Sequence, residues 1–279
     1  MAPVPLRDAI SAHVHDGDVV ALEGFTHLIP HAAGHEIVRQ GRRQLTLVRM
    51  TPDVIYDQLV GMGCARKLVF SWGGNPGVGS LHRLRDAVEH QWPVPLALDE
   101  HGHAAMAAAW AAGAANLPFA ILRSAAGTDL PAKNPNIRRI ECPYTGEPLT
   151  AVPALRPDVA VIHAQQADRA GNVRLWGIVG VQKEAALAAR RVVVTVEEVV
   201  EGFDAPGVRG PRGRDAVVVL PAWTISAVCV APGGAHPSYA AGYSRRDNAF
   251  YAAWDEISKD RTRFLAWMDT HVLGGTTRA

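Results

Sequence analysis

Short apolar runs recur along this chain, each followed by a turn-forming loop and then by a segment with helical spacing. The first such runs are residues 19–22, 45–48, 67–71 and 96–98. Helix-like stretches at 4–15, 30–39, 52–59, 81–90 and 104–115 alternate with them, the third with Thr51 as its expected N-cap. Strand, loop and helix in repetition predict an α/β fold, a mostly parallel sheet with helices on both faces. Further strands are expected at 119–122, 159–163, 192–196, 217–220 and 225–230, and helices at 182–189 and 251–264. Four valines and a threonine at 192–196 predict a central strand. Residues 134–147, with a Pro-Tyr-Thr-Gly turn, are expected to be an irregular lid or wall. No linker forces a boundary, so residues 1–279 are expected to form a single domain.

Composition excludes several classes. The formal net charge is +1, and Lys and Arg do not cluster as a nucleic-acid footprint requires. The run at 209–214 is interleaved with glycine and proline and reads as a surface loop. No uninterrupted apolar stretch is long enough for a bilayer, and no charged leader opens the chain. Cys64, Cys142 and Cys229 are far apart and form no framework, so buried free thiols in a cytoplasmic protein are expected.

The stretch Asp16-Gly17-Asp18-Val19-Val20-Ala21-Leu22-Glu23-Gly24-Phe25 is a turn, a buried strand and a glycine bend. Open α/β sheets place ligands beyond such strand ends. Other strand-end loops carry candidate chemistry. Gly73-Gly74-Asn75 can present backbone N–H groups to a phosphate or an oxyanion, or can be a tight turn with no ligand. Arg123 and Ser124, with Gly127 and Thr128, can clamp a carboxylate; alternatively Arg123 pairs with Asp129. Glu100 near His101 and His103 suits a general base whose pKa burial raises. His101 with His103 invite a metal but are not in an H-E-x-x-H arrangement and have no cysteine close by; His27, His31 and His35, spaced four apart, could share a helix face but lie far from any apparent acidic partner, and no metal is expected. No G-x-S-x-G elbow, phosphate loop or G-x-G-x-x-G is present, and no side chain looks like a self-sufficient nucleophile.

Together these segments resemble the α subunits of family I coenzyme A transferases, the glutaconate-transferase-like branch in particular. The likeness runs from Glu23-Gly24-Phe25, which stands at the family's glycine-glycine-phenylalanine signature, through Ser71-Trp72-Gly73-Gly74-Asn75, Pro143-Tyr144-Thr145-Gly146-Glu147 and His163-Ala164-Gln165 to Pro232-Gly233-Gly234-Ala235-His236-Pro237. It covers nearly the whole chain. The resemblance implies an α/β protein that pairs with a homologous β subunit to move coenzyme A from an acyl-CoA to a free acid, which Arg123 would suit if it were dicarboxylic. The attack on the thioester comes from a glutamate of the β subunit, so no catalytic residue is expected here. Gly24, Phe25, Gly73, Gly74, Asn75, Arg123, Ser124, Gly127 and Thr128 are the expected substrate-binding residues. Coenzyme A enters as a thioester substrate, with no permanently bound cofactor. Two alternatives stay open: a ring-opening carbon–carbon hydrolase of the same fold, using Glu100, and a non-catalytic CoA-ester-binding or scaffolding protein. Glu23 departs from the signature, since a glutamate replaces its first glycine.

Overall fold

A computed structural model describes residues 1–124, 128–213 and 215–274. The first strands, β1 (Val19–Glu23), β2 (Leu45–Val48), β3 (Ala65–Phe70) and β4 (Ala97–Glu100), pair in parallel in that order. On the other edge of β1 lies β8 (Val159–Asp168), followed by β10 (Arg191–Val200) and β12 (Ala227–Val230), again all parallel. The valine-rich strand is thus interior, as expected. It is also twice as long as its apolar run: β8 and β10 pair from Val159↔Arg191 to Asp168↔Val200. Beyond the end of β1, the outer half of β8 takes β9 (Val173–Trp176) as an antiparallel neighbour, and β9 carries β11 (Val217–Leu220). The whole forms a nine-stranded sheet.

Alternation in β1 shows why helices cover both faces. Val20 and Leu22 join one core with Ile10 of α1 (Leu6–His13), Ile37 of α2 (His31–Arg39) and Ile55 and Leu59 of α3 (Val54–Gly61). α4 (His82–Glu89) adds Ala87 to this layer. Ala21 points the other way, to Met106 and Trp110 of α5 (His103–Ala114). Small side chains along this alanine-rich helix let its neighbours approach closely. A Cβ on Gly113 would lie 1.9 Å from the Leu155 carbonyl oxygen.

α5 also supports a second, three-stranded antiparallel sheet of β5 (Phe119–Leu122), β6 (Arg138–Glu141) and β7 (Pro148–Pro153), in the order β5-β7-β6. A short α6 (Leu130–Lys133) precedes β6. This corrects the irregular excursion expected at 134–147. β6 reads Arg-Arg-Ile-Glu with only Ile140 half-buried, so it carries no apolar alternation to betray it.

α7 (Gln182–Ala188) packs Ala185 and Ala188 beside α5. The single helix expected at 251–264 is two, α8 (Asn248–Lys259) and α9 (Arg261–Met268). Asp260, extended at φ −105° and ψ 129°, breaks it and caps α9 by accepting from the Arg263 amide at 2.8 Å. The cap of α3 is likewise Asp53, not Thr51, with its side chain accepting from the Ile55 amide. Cys64 and Cys229 are buried free thiols, whereas Cys142 is only half-buried at the β6–β7 turn. Among the described residues no helix is long and apolar enough to cross a membrane.

Candidate functional site

A cavity of about 390 Å3 opens beyond the carboxyl ends of β1, β2 and β3. Phe25, Thr26, Arg49, Thr51, Asp53, Trp72, Pro76, Gly77 and His103 line it. They come from the loops after these strands and from the starts of α3 and α5, the place where an open parallel sheet leaves polar groups free to meet a ligand. A concavity of about 330 Å3 on the small sheet, lined by Phe119, Arg138, Ile140 and Pro153, lies away from these ends and gathers fewer polar groups. The strand-end cavity is therefore the better candidate.

Its loop after β1 is held tightly. A Cβ on Gly24 would come within 2.7 Å of the Leu28 carbonyl oxygen and 2.9 Å of that of His27, so only glycine fits there. Thr26 and Leu28 both take left-handed backbone, φ 57° and 53°, a costly state for residues with a Cβ. Neighbours fix it: Ser238 donates to the Thr26 carbonyl at 2.9 Å, and the Leu28 amide donates to Tyr239 at 2.9 Å.

Below the cavity lies a buried polar network. Arg49, the first residue after β2, donates to Asp53 Oδ1 at 3.0 Å and to the Gly24 carbonyl, and its Nε has no partner. Tyr56 in α3 locks the strand ends from beneath, donating to the Val48 carbonyl at 2.8 Å and accepting from the Leu22 amide at 3.1 Å. Burial works against the Arg49 charge, but Asp53, Tyr56 and Glu23 outweigh it and hold the guanidinium above its ordinary pKa. Glu23 is 3% exposed, and its Oε1 is unpartnered. Burial pushes its pKa up to about 7, against the opposing pull of Arg49 and of the Gly24 and Met50 amides.

The structure gathers only some of the sequence candidates here. Phe25 lines the cavity; Gly24 does not, and its carbonyl is taken by Arg49 beneath it. Gly73, Gly74 and Asn75 do not line it; their loop frames it with Trp72, Pro76 and Gly77. The Gly74 amide donates to the Pro52 carbonyl at 3.2 Å and the Asn75 amide to Gly79 at 3.0 Å, so neither is free for an oxyanion. The Asn75 side-chain amide donates to the Tyr251 carbonyl at 2.8 Å, and its Oδ1 is buried without a partner. Arg123 lies on the small sheet's side, in an ion pair with Glu147 rather than Asp129, and Ser124 beside it is exposed. Thr128 is exposed, and Gly127 falls outside the described residues.

Glu100 ends β4 with an exposed side chain and borders a different concavity, alongside Lys67 and Lys133. His101 faces Asp99 at 2.9 Å. His27 is not on the helix with His31 and His35. Its Nδ1–H donates to the Ile178 carbonyl at 3.0 Å while Nε2 accepts from the Ala241 amide at 2.9 Å. Among the described residues no three potential ligands come together for a metal. Sequence reasoning passed over Arg49, Thr26, Asp53 and Trp72. The available signal was a charged residue directly after the apolar run 45–48, which marks a strand end as glycine does.

A family model described as Coenzyme A transferase matches residues 5–209. The chain belongs to that family. It is 64% identical to the A subunit of the 3-oxoadipate CoA-transferase of Pseudomonas knackmussii over 96% of this chain and 93% of that protein. It is 34% identical to the A subunit of the glutaconate CoA-transferase of Acidaminococcus fermentans over 94% of this chain and 85% of the relative. The crystal structure of glutaconate coenzyme A-transferase from that organism matches with a TM-score of 0.88 and 32% identity, covering 98% of this chain and 89% of the other. This chain is thus an α-type subunit of a heteromeric CoA-transferase, with the mostly parallel, helix-flanked sheet of that enzyme.

Proposed function

We propose that this protein, joined to a B subunit that carries a nucleophilic glutamate, moves coenzyme A from an acyl-CoA to a dicarboxylic acid of the 3-oxoadipate kind, in the cytoplasm and without a resident cofactor. What supports the reading most is the 64% identity, over nearly the full length, to the A subunit of a 3-oxoadipate CoA-transferase. The reaction needs two exchanges. The partner's carboxylate attacks the thioester carbonyl and expels the CoA thiolate, forming an acyl–glutamyl anhydride. The thiolate then attacks the glutamyl carbonyl, leaving a glutamyl-CoA thioester and the free donor acid. The acceptor acid reverses both steps.

Among the described residues that line the cavity the carboxylate is that of Asp53, and it is held in the ion pair with Arg49. The cavity offers a wall: Phe25 and Trp72, 40% and 45% exposed, give an apolar mouth, His103 adds an exposed polar group, and Thr26, Thr51 and the buried Arg49 give polar depth. Such a pocket orients an acyl chain while another group performs the chemistry. Glu100, on which the hydrolase alternative rests, borders a different concavity from the one that carries this reading.

Co-purification of the chain with its B subunit provides the test. The complex is expected to transfer CoA from an acyl-CoA to 3-oxoadipate, and borohydride added with acyl-CoA alone is expected to reduce the thioester on the partner. Reduction on this chain, or cleaved product released without an acceptor acid, would overturn the proposal.

A further inference from the structure

We propose that Arg49 is the specificity-determining residue of this protein, binding the remote carboxylate of a dicarboxylic acyl group at the floor of the strand-end cavity. The inference rests on the CoA-transferase reading and names the group that selects its substrate. Arg49 is the cationic side chain that reaches the cavity, its guanidinium is buried, and its Nε has no protein partner. Thr26 and Thr51 bring hydroxyls to the same space, so one charged and two neutral donors can share one carboxylate. The left-handed Thr26 is held in place by the Ser238 bond, the kind of strain that persists where surrounding structure over-determines a site. Phe25 and Trp72 at the mouth suit the methylene segment between the two ends of the acyl group.

Charge balance argues for one singly charged group. Asp53 already offsets Arg49, so a phosphate dianion would leave the buried floor strongly negative, whereas a lone carboxylate is tolerated if it is fully hydrogen-bonded. Glu23 decides how far this holds. The titratable groups around this floor are Arg49 and Asp53 after β2, Tyr56 of α3, His31 of α2 and Tyr251 of α8, and His103 of α5 is exposed on the cavity lining. His31 is held neutral by burial first, then by neighbouring positive groups, and so adds no charge. A protonated Glu23 keeps the floor near neutrality; an ionised one would repel the incoming carboxylate.

The role separates from a merely structural one by comparing acids that differ only at the remote end. The probes are 3-oxoadipate and 3-oxohexanoate as acceptors, with one acyl-CoA donor held fixed, on the purified two-subunit complex. Wild-type kcat/KM is expected to favour 3-oxoadipate by about tenfold to a hundredfold, the scale of a charge-assisted hydrogen bond. Arg49→Lys keeps a charge for Asp53 but loses the planar fork, and is expected to lower kcat/KM for 3-oxoadipate about tenfold while 3-oxohexanoate changes less than about twofold. Equal losses for both acids would assign Arg49 to scaffolding, and no loss in either would equally overturn the inference. Should Arg49→Lys fail to assemble, Thr51→Val on the cavity wall must show the same selective fall in kcat/KM for 3-oxoadipate; a parallel change for both acids, or no change in either, overturns the proposal. A wild-type complex that transfers CoA readily but without preference sinks this inference alone. One that transfers CoA to neither acid sinks the transferase reading, and this inference with it.

Discussion

Arg49–Asp53 and Arg123–Glu147 are the same chemical pair in two settings. Their separations are 3.0 Å and 2.8 Å, but the side chains of the first are each 1% exposed and those of the second 80% and 38%. The shorter contact is the weaker one. Arg123 pairs in water, where solvent screens the attraction and the freedom of two long side chains opposes it. Arg49 pairs inside the sheet end, where each partner alone would be an uncompensated buried charge. A charged side chain on a loop therefore says little about a site until its burial is known. The arginine that resembles a substrate clamp in sequence secures a peripheral loop, and the one that looks like an ordinary strand terminus lies under the cavity.

Breaking each pair should expose the contrast. Asp53→Ala leaves the Arg49 charge unpaired in the interior and is expected to destabilise the fold by about 3–5 kcal/mol in chemical denaturation. A loss near zero would mean that water reaches Arg49, and that the two settings are alike.

The next effect is smaller and depends on pH. Glu23 has its pKa raised by burial from 4.5 to about 7. The unfolded carboxyl ionises first, so its contribution to stability is complete below about pH 4.5 and is lost as pH rises through about 7. The rise corresponds to about 3 kcal/mol of stability that wild type loses over this interval and Glu23→Gln does not. Denaturation of both proteins at several pH values reads the difference, and parallel curves would refute a buried, proton-holding Glu23.

The smallest effect belongs to the exposed pair. Arg123→Ala is expected to leave the melting temperature and the KM for the acceptor acid unchanged in the two-subunit complex. A selective rise in KM for a dicarboxylic acceptor would return the substrate clamp to the loop after β5 and undo the contrast.

The architecture was legible wherever burial imposed a pattern. The runs at 45–48, 119–122 and 217–220 are strands with the expected bounds, because an apolar run between turns has few other uses. Legibility failed where polar or local interactions decided. β6 is polar and exposed except at Ile140. The break between α8 and α9 depends on Asp260 turning to cap a new helix inside an apolar stripe that continues across it. The same limit applied to the cavity. Glycine and aromatic residues after β1 announced a strand end, so Phe25 was found. Arg49 was not, because nothing local distinguishes an arginine bound for solvent from one that folds beneath a loop.

The sequence by itself determined a parallel α/β sheet, the ends at which chemistry can occur, and a family whose signature Glu23 departs from. Burial at those ends was decided by the tertiary structure alone. It brings Glu23, Arg49 and Asp53, from separate positions in the chain, into one desolvated network, and leaves Arg123 and Glu147 in water. Desolvation depends on everything packed around a group, and that surrounding is assembled from distant segments only when the sheet closes with its helices in place.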